Sequence, residues 1–264
     1  PNPNIGLLAV GYKDSTLAIF DPWSQELIHY VKTGTGTQEV SSLASSPDGR
    51  TLVTVDSCGN MQFWDFETLT LLYHVKSSDL GFRLVAFSSN GLRVVDLMDS
   101  KLKVWEPAAL IRKTVEKDVI VSHTAKLPVI EGQNESKRNL EITVMVCHPV
   151  LSVVFVGKYN GSVAALTSKT GKEDAVLYSH SKSAFVTALA ISSHDILASG
   201  DVNGNVQVWQ LGKTATRTLQ TSSLMLNTSA GKAVKQLLIS PNGDFLLIST
   251  TVSDLVFSTR DSTC

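Results

Sequence analysis

An all-β chain built from six copies of one antiparallel, four-stranded unit is what this sequence predicts, and three observations carry the prediction. A 14-residue pattern recurs six times. Its thirteenth position holds Phe20, Trp64, Trp105, Leu166, Trp209 and Phe257, at steps of 44, 41, 61, 43 and 48 residues. Each copy is flanked by further short apolar runs closed by Gly, Pro, Asn, Asp and Ser, the residues that reverse a chain.

The copies read LAVGYKDSTLAIFD (8–21), LVTVDSCGNMQFWD (52–65), RVVDLMDSKLKVWE (93–106), VFVGKYNGSVAALT (154–167), LASGDVNGNVQVWQ (197–210) and FLLISTTVSDLVFS (245–258). Each has the make-up of a hairpin: an apolar run, a polar reversal, then a run alternating apolar with polar. In the fifth copy Val206, Val208 and Gln210 point one way, Gln207 and Trp209 the other. Neither face is purely polar, as expected of a sheet packed between two other sheets.

Upstream of most copies lies another strand ending in a turn: 39–49, 83–91, 186–195 and 234–243. Pro-Asp-Gly and Pro-Asn-Gly suit these turns, because proline presets φ and glycine accepts positive φ. Downstream comes a fourth strand, as in ELIHYVK (26–32), LLYHVK (71–76) and AVLYSH (175–180). Four strands per unit, repeated radially, make a β-propeller. The blades are placed at about 5–33, 39–77, 82–115, 140–180, 184–222 and 232–264, a single propeller segment over 1–264. Residues before the first copy are too few for an innermost strand, and the last copy stops without an outermost one. The ring is expected to be incomplete here, with the parent chain continuing into further blades or domains; Pro1 in place of a methionine points the same way.

The Trp-Asp ending at 64–65, the SPDG turn at 46–49 and LASGDVNGNVQVWQ resemble WD repeats, over nearly the whole chain. The resemblance implies a non-catalytic scaffold. It also implies a His–Ser–Asp–Trp hydrogen-bond network in each blade, from which this sequence departs. The Gly-His opening is absent, and His180 lies two residues too far upstream. The turn aspartate survives as Asp14 and Asp99 but is replaced by Cys58, Asn160, Asn203 and Thr251 elsewhere. Apolar packing is therefore expected to carry more of the stability. The first two blades (11–21 and 45–56) are also similar to propeller arms of fungal NACHT-type signalling NTPases. No nucleotide-binding motif accompanies them, so no NTPase activity is implied.

Between Trp105 and Leu166 the step exceeds the others by about 18 residues, an insertion at 113–139. It reads as a surface loop or an extra edge strand near 119–121, or else as a partner-binding loop.

Net charge is −1, with 18% charged residues spread along the chain. No basic field is available for nucleic acid or an anionic membrane. No apolar run reaches the roughly 18 residues of a membrane span. Three unpaired cysteines point to a reducing, cytoplasmic setting; Asn134, Asn160 and Asn227 begin Asn-x-Ser/Thr triplets of the kind that arise by chance.

No catalytic, cofactor or metal site assembles. TGTGTQ (33–38) leads to no helix that could cradle a phosphate. Cys147–His148 lacks a second ligand pair. His29 and His74 read as matching exposed residues of two outer strands. Asp14, Asp56, Asp99 and Asp201 read as turn residues, and the tryptophans as core. The remaining expectation is a surface for protein partners. The loops entering the innermost strands, with Glu39, Arg83, Phe185 and Lys232, are expected to ring the channel mouth and supply arginine and aromatic anchors.

Overall fold

The computed structural model describes residues 5–33, 38–76, 83–98, 101–108, 123–125, 141–168, 173–181, 184–212, 224–227, 232–240 and 242–259. The chain divides into two compact units, Pro1–Lys126 and Leu127–Cys264.

The first unit holds three antiparallel sheets. β1 (Leu8–Gly11), β2 (Thr16–Phe20) and β3 (Leu27–Lys32) pair in sequence order. So do β4 (Val40–Ser45), β5 (Thr51–Asp56), β6 (Met61–Asp65) and β7 (Leu71–Val75), and then β8 (Arg83–Phe87), β9 (Val94–Met98), β10 (Lys101–Trp105) and β11 (His123–Ala125). The second unit repeats the plan. Its fourth sheet is β12 (Ile142–Cys147), β13 (Val153–Lys158), β14 (Ser162–Thr167) and β15 (Glu173–Ser179). The fifth is β16 (Val186–Ile191), β17 (Ile196–Asp201), β18 (Asn205–Gln210) and β19 (Leu224–Asn227); the sixth is β20 (Val234–Ile239), β21 (Phe245–Thr250) and β22 (Asp254–Ser258). All are antiparallel meanders, the all-β class that the sequence predicts.

The third sheet departs from the expected layout. Its fourth strand is His123–Ala125, inside the 113–139 segment, with Leu102 opposite Ala125. The insertion thus yields an outer strand, beyond the expected blade end at 115; residues 119–121 lie outside the described residues.

Hairpin length follows the turn residue. In four copies the paired positions are twelve apart, as Leu52↔Trp64 and Leu197↔Trp209. These turns place Ser15, Gly59, Gly161 and Gly204 at positive φ, from 63 to 86°. In the third and sixth sheets Val94 faces Trp105 and Leu246 faces Phe257, one residue closer. A uniform 14-residue register therefore slips by one in those copies.

The sheets pack face to face within each unit. Ala9, Leu17 and Ile19 of the first meet Leu52 and Trp64 of the second, and Val53 and Phe63 meet Val85 and Val94 of the third. In the second unit Phe155, Val163 and Ala165 meet Val186, Leu189 and Leu197, and Ala198, Val206 and Val208 meet Val234, Leu237 and Leu246. One glycine sets the spacing at three of these seams. A Cβ on Gly11, Gly157 or Gly200 would fall 2.6, 2.5 and 2.6 Å from a methyl of Val40, Val186 and Val234, the first valine of the next sheet's inner strand. The second sheet has Val55 at this position, and there the next inner strand begins with Arg83 in place of valine. Thr143 and Thr187 also reach across, each donating its hydroxyl to the carbonyl of that valine (Val186, Val234) at 2.5 Å.

Candidate functional site: the loop end of the sheets

The residues with chemistry to offer fall into two groups, those locked between sheets and those on the turns that enter the inner strands. In the fifth sheet a directed chain runs through the interior. Tyr178 donates its hydroxyl to Ser199 Oγ (2.8 Å), Ser199 Oγ lies 2.7 Å from His180 Nε2, and His180 Nδ1 lies 3.2 Å from Asp201 Oδ2. Burial lowers the His180 pKa, and the neighbouring Asp201 opposes this only in part. A neutral ring accepting from Ser199 and donating to Asp201 satisfies every member.

Ser, His and Asp in this order resemble a hydrolase triad, but the geometry serves structure. Ser199 and Asp201 are 0% exposed, so no substrate meets the hydroxyl. Asp201 also accepts from the N–H groups of Asn203 and Asn205 and from the Asn205 side chain (2.8–2.9 Å), fixing the hairpin turn. Tyr178 and His180 come from the end of the fourth sheet, so the chain clasps two sheets together. This corrects the sequence expectation that the hydrogen-bond network had lapsed: Asp201, two residues before Asn203, takes the aspartate's place, and His180 reaches it from its displaced position.

The tryptophans follow the same logic. Trp64 Nε1 donates to Thr54 Oγ1 (2.9 Å) and Trp105 Nε1 to Asp96 Oδ2 (3.3 Å), while Trp209 stacks on Tyr178 with centroids 4.9 Å apart. Thr54, Asp96 and Ser199 occupy one register position. Where the tryptophan is replaced by Phe20, Leu166 or Phe257, that position holds Val10, Val156 or Ile248. A buried indole N–H needs a partner, and a phenyl or isobutyl group does not. This pairing was visible in the sequence once the register was known.

Other polar candidates resolve as turn chemistry. His148 Nδ1 accepts the N–H groups of Val150 and Leu151 (3.0 and 2.9 Å), so its other nitrogen carries the proton and donates to Asp195 at 2.7 Å. That makes it a turn cap reaching from the fourth sheet to the fifth. Burial pushes the Cys147 thiol up to about 12. Asp14 and Asp56 accept from their own turns; Asp99 and most of 33–38 lie outside the described residues. His29 and His74 are both exposed, yet they do not match: His29 faces Ile19 and His74 faces Gln62, one step apart in register. No group of three or more potential metal-ligating side chains occurs among the described residues.

The strand-entry loops carry the remaining candidates. In the first unit Glu39 is exposed and its carbonyl accepts the N–H of Ser57 (3.0 Å); Arg83 opens β8 opposite Met98. In the second unit Phe185 is half-buried, its carbonyl accepts from Val202 (3.1 Å), and Lys232 is exposed. Pairing of Val40, Ile142, Val186 and Val234 with the ends of their neighbouring strands makes Glu39, Glu141, Phe185 and Ala233 equivalent. Arg83 and Lys232 thus sit one residue to either side of that position, and Glu141 was missed because the insertion disguised the start of its blade.

Phe185 is the best supported of these. Its ring lies parallel to Tyr159, with centroids 5.2 Å apart and planes 2° from parallel. Tyr159 is 38% exposed on the β13–β14 turn. That turn is fixed: Gly161 has no room for a Cβ beside the Ala184 carbonyl (2.7 Å), and its own carbonyl accepts from His180 N–H (2.9 Å). A stacked aromatic pair is therefore held rigidly at the loop end of the second unit.

Two family models match parts of the chain: the anaphase-promoting complex subunit 4 WD40 domain over residues 2–90, and the WD domain, G-beta repeat, over 171–210. Among solved structures, the chain is similar to the Cps50 (Swd1) beta-propeller domain of Myceliophteria thermophila, with a TM-score of 0.76 at 14% identity, over 97% of this chain and 81% of that one. It is also similar to a chain of the mitotic checkpoint complex, with a TM-score of 0.70 at 16% identity, over 97% of this chain and 74% of that one. No curated protein sequence matches it.

Proposed function

Starting from a chain that is a WD-repeat β-propeller, we propose that it is a non-catalytic platform that binds other proteins through the loops entering its inner strands. One observation carries this reading: the Ser–His–Asp cluster is sealed between sheets, whereas the Tyr159–Phe185 pair is presented at the surface on a rigid turn. Aromatic side chains fixed in place lose little entropy on binding and make strong anchors. A net charge of −1 fits protein partners better than nucleic acid. Both partner structures in which similar folds occur, a propeller domain and a multi-protein checkpoint complex, fit a role in assemblies. The free thiols Cys58 and Cys147 fit a cytoplasmic setting, and continuity with further blades or domains belongs to the same reading. A platform of this kind also suits a sensor arm of a NACHT-type NTPase, but the model matching residues 2–90 carries a different name.

The test is a cross-linking pull-down with the wild-type chain against a folded variant carrying Arg83→Ala, Phe185→Ala and Lys232→Ala. A defined set of proteins lost from the variant supports the platform. Equal recovery from both moves the site away from these loops, and recovery of a small metabolite without protein overturns the reading.

A further inference from the structure

The outermost strand of the first sheet stands apart from the others. In β3, Leu27, Ile28 and Tyr30 are 50, 42 and 70% exposed, and Trp23, on the turn before it, is 89% exposed. β3 is also an edge: it pairs with β2 on one side only. The N–H of Thr33 turns inward to Ser15, so by ladder alternation the backbone groups of Lys32 and Tyr30 face outward. An exposed apolar edge strand is a template for another strand.

Which strand it accepts follows from its own order of residues, Glu26-Leu27-Ile28-His29-Tyr30-Val31-Lys32. Read against itself in the antiparallel sense with His29 opposite His29, this segment places Glu26 opposite Lys32, Leu27 opposite Val31 and Ile28 opposite Tyr30. Every charge then meets its complement, twice, and every apolar side chain meets another. Outward groups must face outward groups, so the register can move only in steps of two. Moving the axis to Ile28 sets Glu26 against Tyr30, and moving it to Tyr30 sets Lys32 against Ile28. Lys32 is held at the strand end by Asp14 (2.7 Å) while remaining 56% exposed. Other described outer strands lack the pattern: β7 ends before Lys76 but begins after Thr70, and β15 starts with Glu173 and Asp174 and has no base at its far end.

We propose that the chain self-associates through β3, paired antiparallel with β3 of a second copy about a two-fold axis at His29. The contact is isologous, so it closes at two copies. A single strand pair with Trp23 beside it falls short of the roughly 800 Å² per partner of a standard interface, so the dimer is weak and depends on concentration. The proposal does not rest on the loop-face reading.

Sedimentation velocity of the 264-residue chain across the micromolar range tests it. The wild-type chain is expected to shift from monomer to dimer. Glu26→Lys and Lys32→Glu each set like charges opposite one another and are expected to stay monomeric, while an equimolar mixture of the two variants forms a heterodimer. That recovery also shows that both variants are folded. For the register, oxidised His29→Cys is expected to cross-link to itself beyond the wild-type background, because opposed cysteines on such a ladder meet disulfide geometry; Val31→Cys, which faces Leu27, does not. A wild-type chain that remains monomeric throughout, or a dimer unaffected in both charge variants, overturns the proposal.

Discussion

Replacing Gly157 by alanine probes the spacing between the fourth and fifth sheets. The new methyl would lie 2.5 Å from Val186 Cγ1, 2.6 Å from Val186 Cβ and 2.9 Å from Val144 Cγ1, where ordinary contact needs at least 3.4 Å. Overpacking of this kind costs about 1–3 kcal/mol. Loss of glycine's freedom in the unfolded chain returns roughly 0.4–1 kcal/mol, which leaves a net loss of about 1–2 kcal/mol. Val186→Ala keeps the Cβ that lies 2.6 Å away, so it should relieve Gly157→Ala very little. Val186→Gly, which moves the glycine across the seam, should relieve most of it. On its own Val186→Gly costs about 2–3 kcal/mol of buried side chain and about 0.5–1 kcal/mol of strand entropy. The pair Gly157→Ala with Val186→Gly should then fall short of the summed losses by about 1 kcal/mol or more. Equilibrium urea denaturation followed by tryptophan fluorescence, comparing midpoints at constant slope, reads these differences. A Gly157→Ala chain as stable as wild type, or strict additivity with Val186→Gly, refutes the steric account of the seam.

Three further outcomes follow from the polar pairings. Thr54→Val strands the buried Trp64 N–H and should cost about 1–3 kcal/mol. Adding Trp64→Phe, which recreates the pattern of the first and sixth sheets, should cost less than the separate losses summed, as read by the same denaturation series. The His180 pKa is lowered on folding, so the unfolded chain binds the proton more readily. Stability is then full above the ordinary histidine value of 6.5 and is lost as pH falls below it toward the folded value. His180→Asn should reduce that slope, and an unchanged slope between neutral pH and pH 5.5 would rule out its part in the clasp. Because its burial holds the Cys147 thiol near 12, alkylation mapped by mass spectrometry at mildly alkaline pH should label Cys58 well ahead of Cys147.

The repeat, the hairpin turns and the core tryptophans were legible in the sequence because they are local. A turn that needs positive φ selects glycine at 59, 161 and 204, and a strand between two sheets selects apolar residues on both faces. The loop candidates were legible only to within a residue. Arg83 and Lys232 flank the true register position, and Glu141 was hidden behind the insertion, since strand pairing and not spacing defines equivalence. What the tertiary structure alone decided lies between sheets. It brought Tyr178 and His180 onto Ser199 and Asp201, His148 onto Asp195, and Tyr159 onto Phe185. Each pair comes from successive blades, about 20 to 50 residues apart, a range where periodicity names equivalent positions but cannot say which side chains touch. A sheet's own residues determine its turns and strands; contact across a seam depends on how closely two sheets approach, and here Gly157 and Gly200 set that distance.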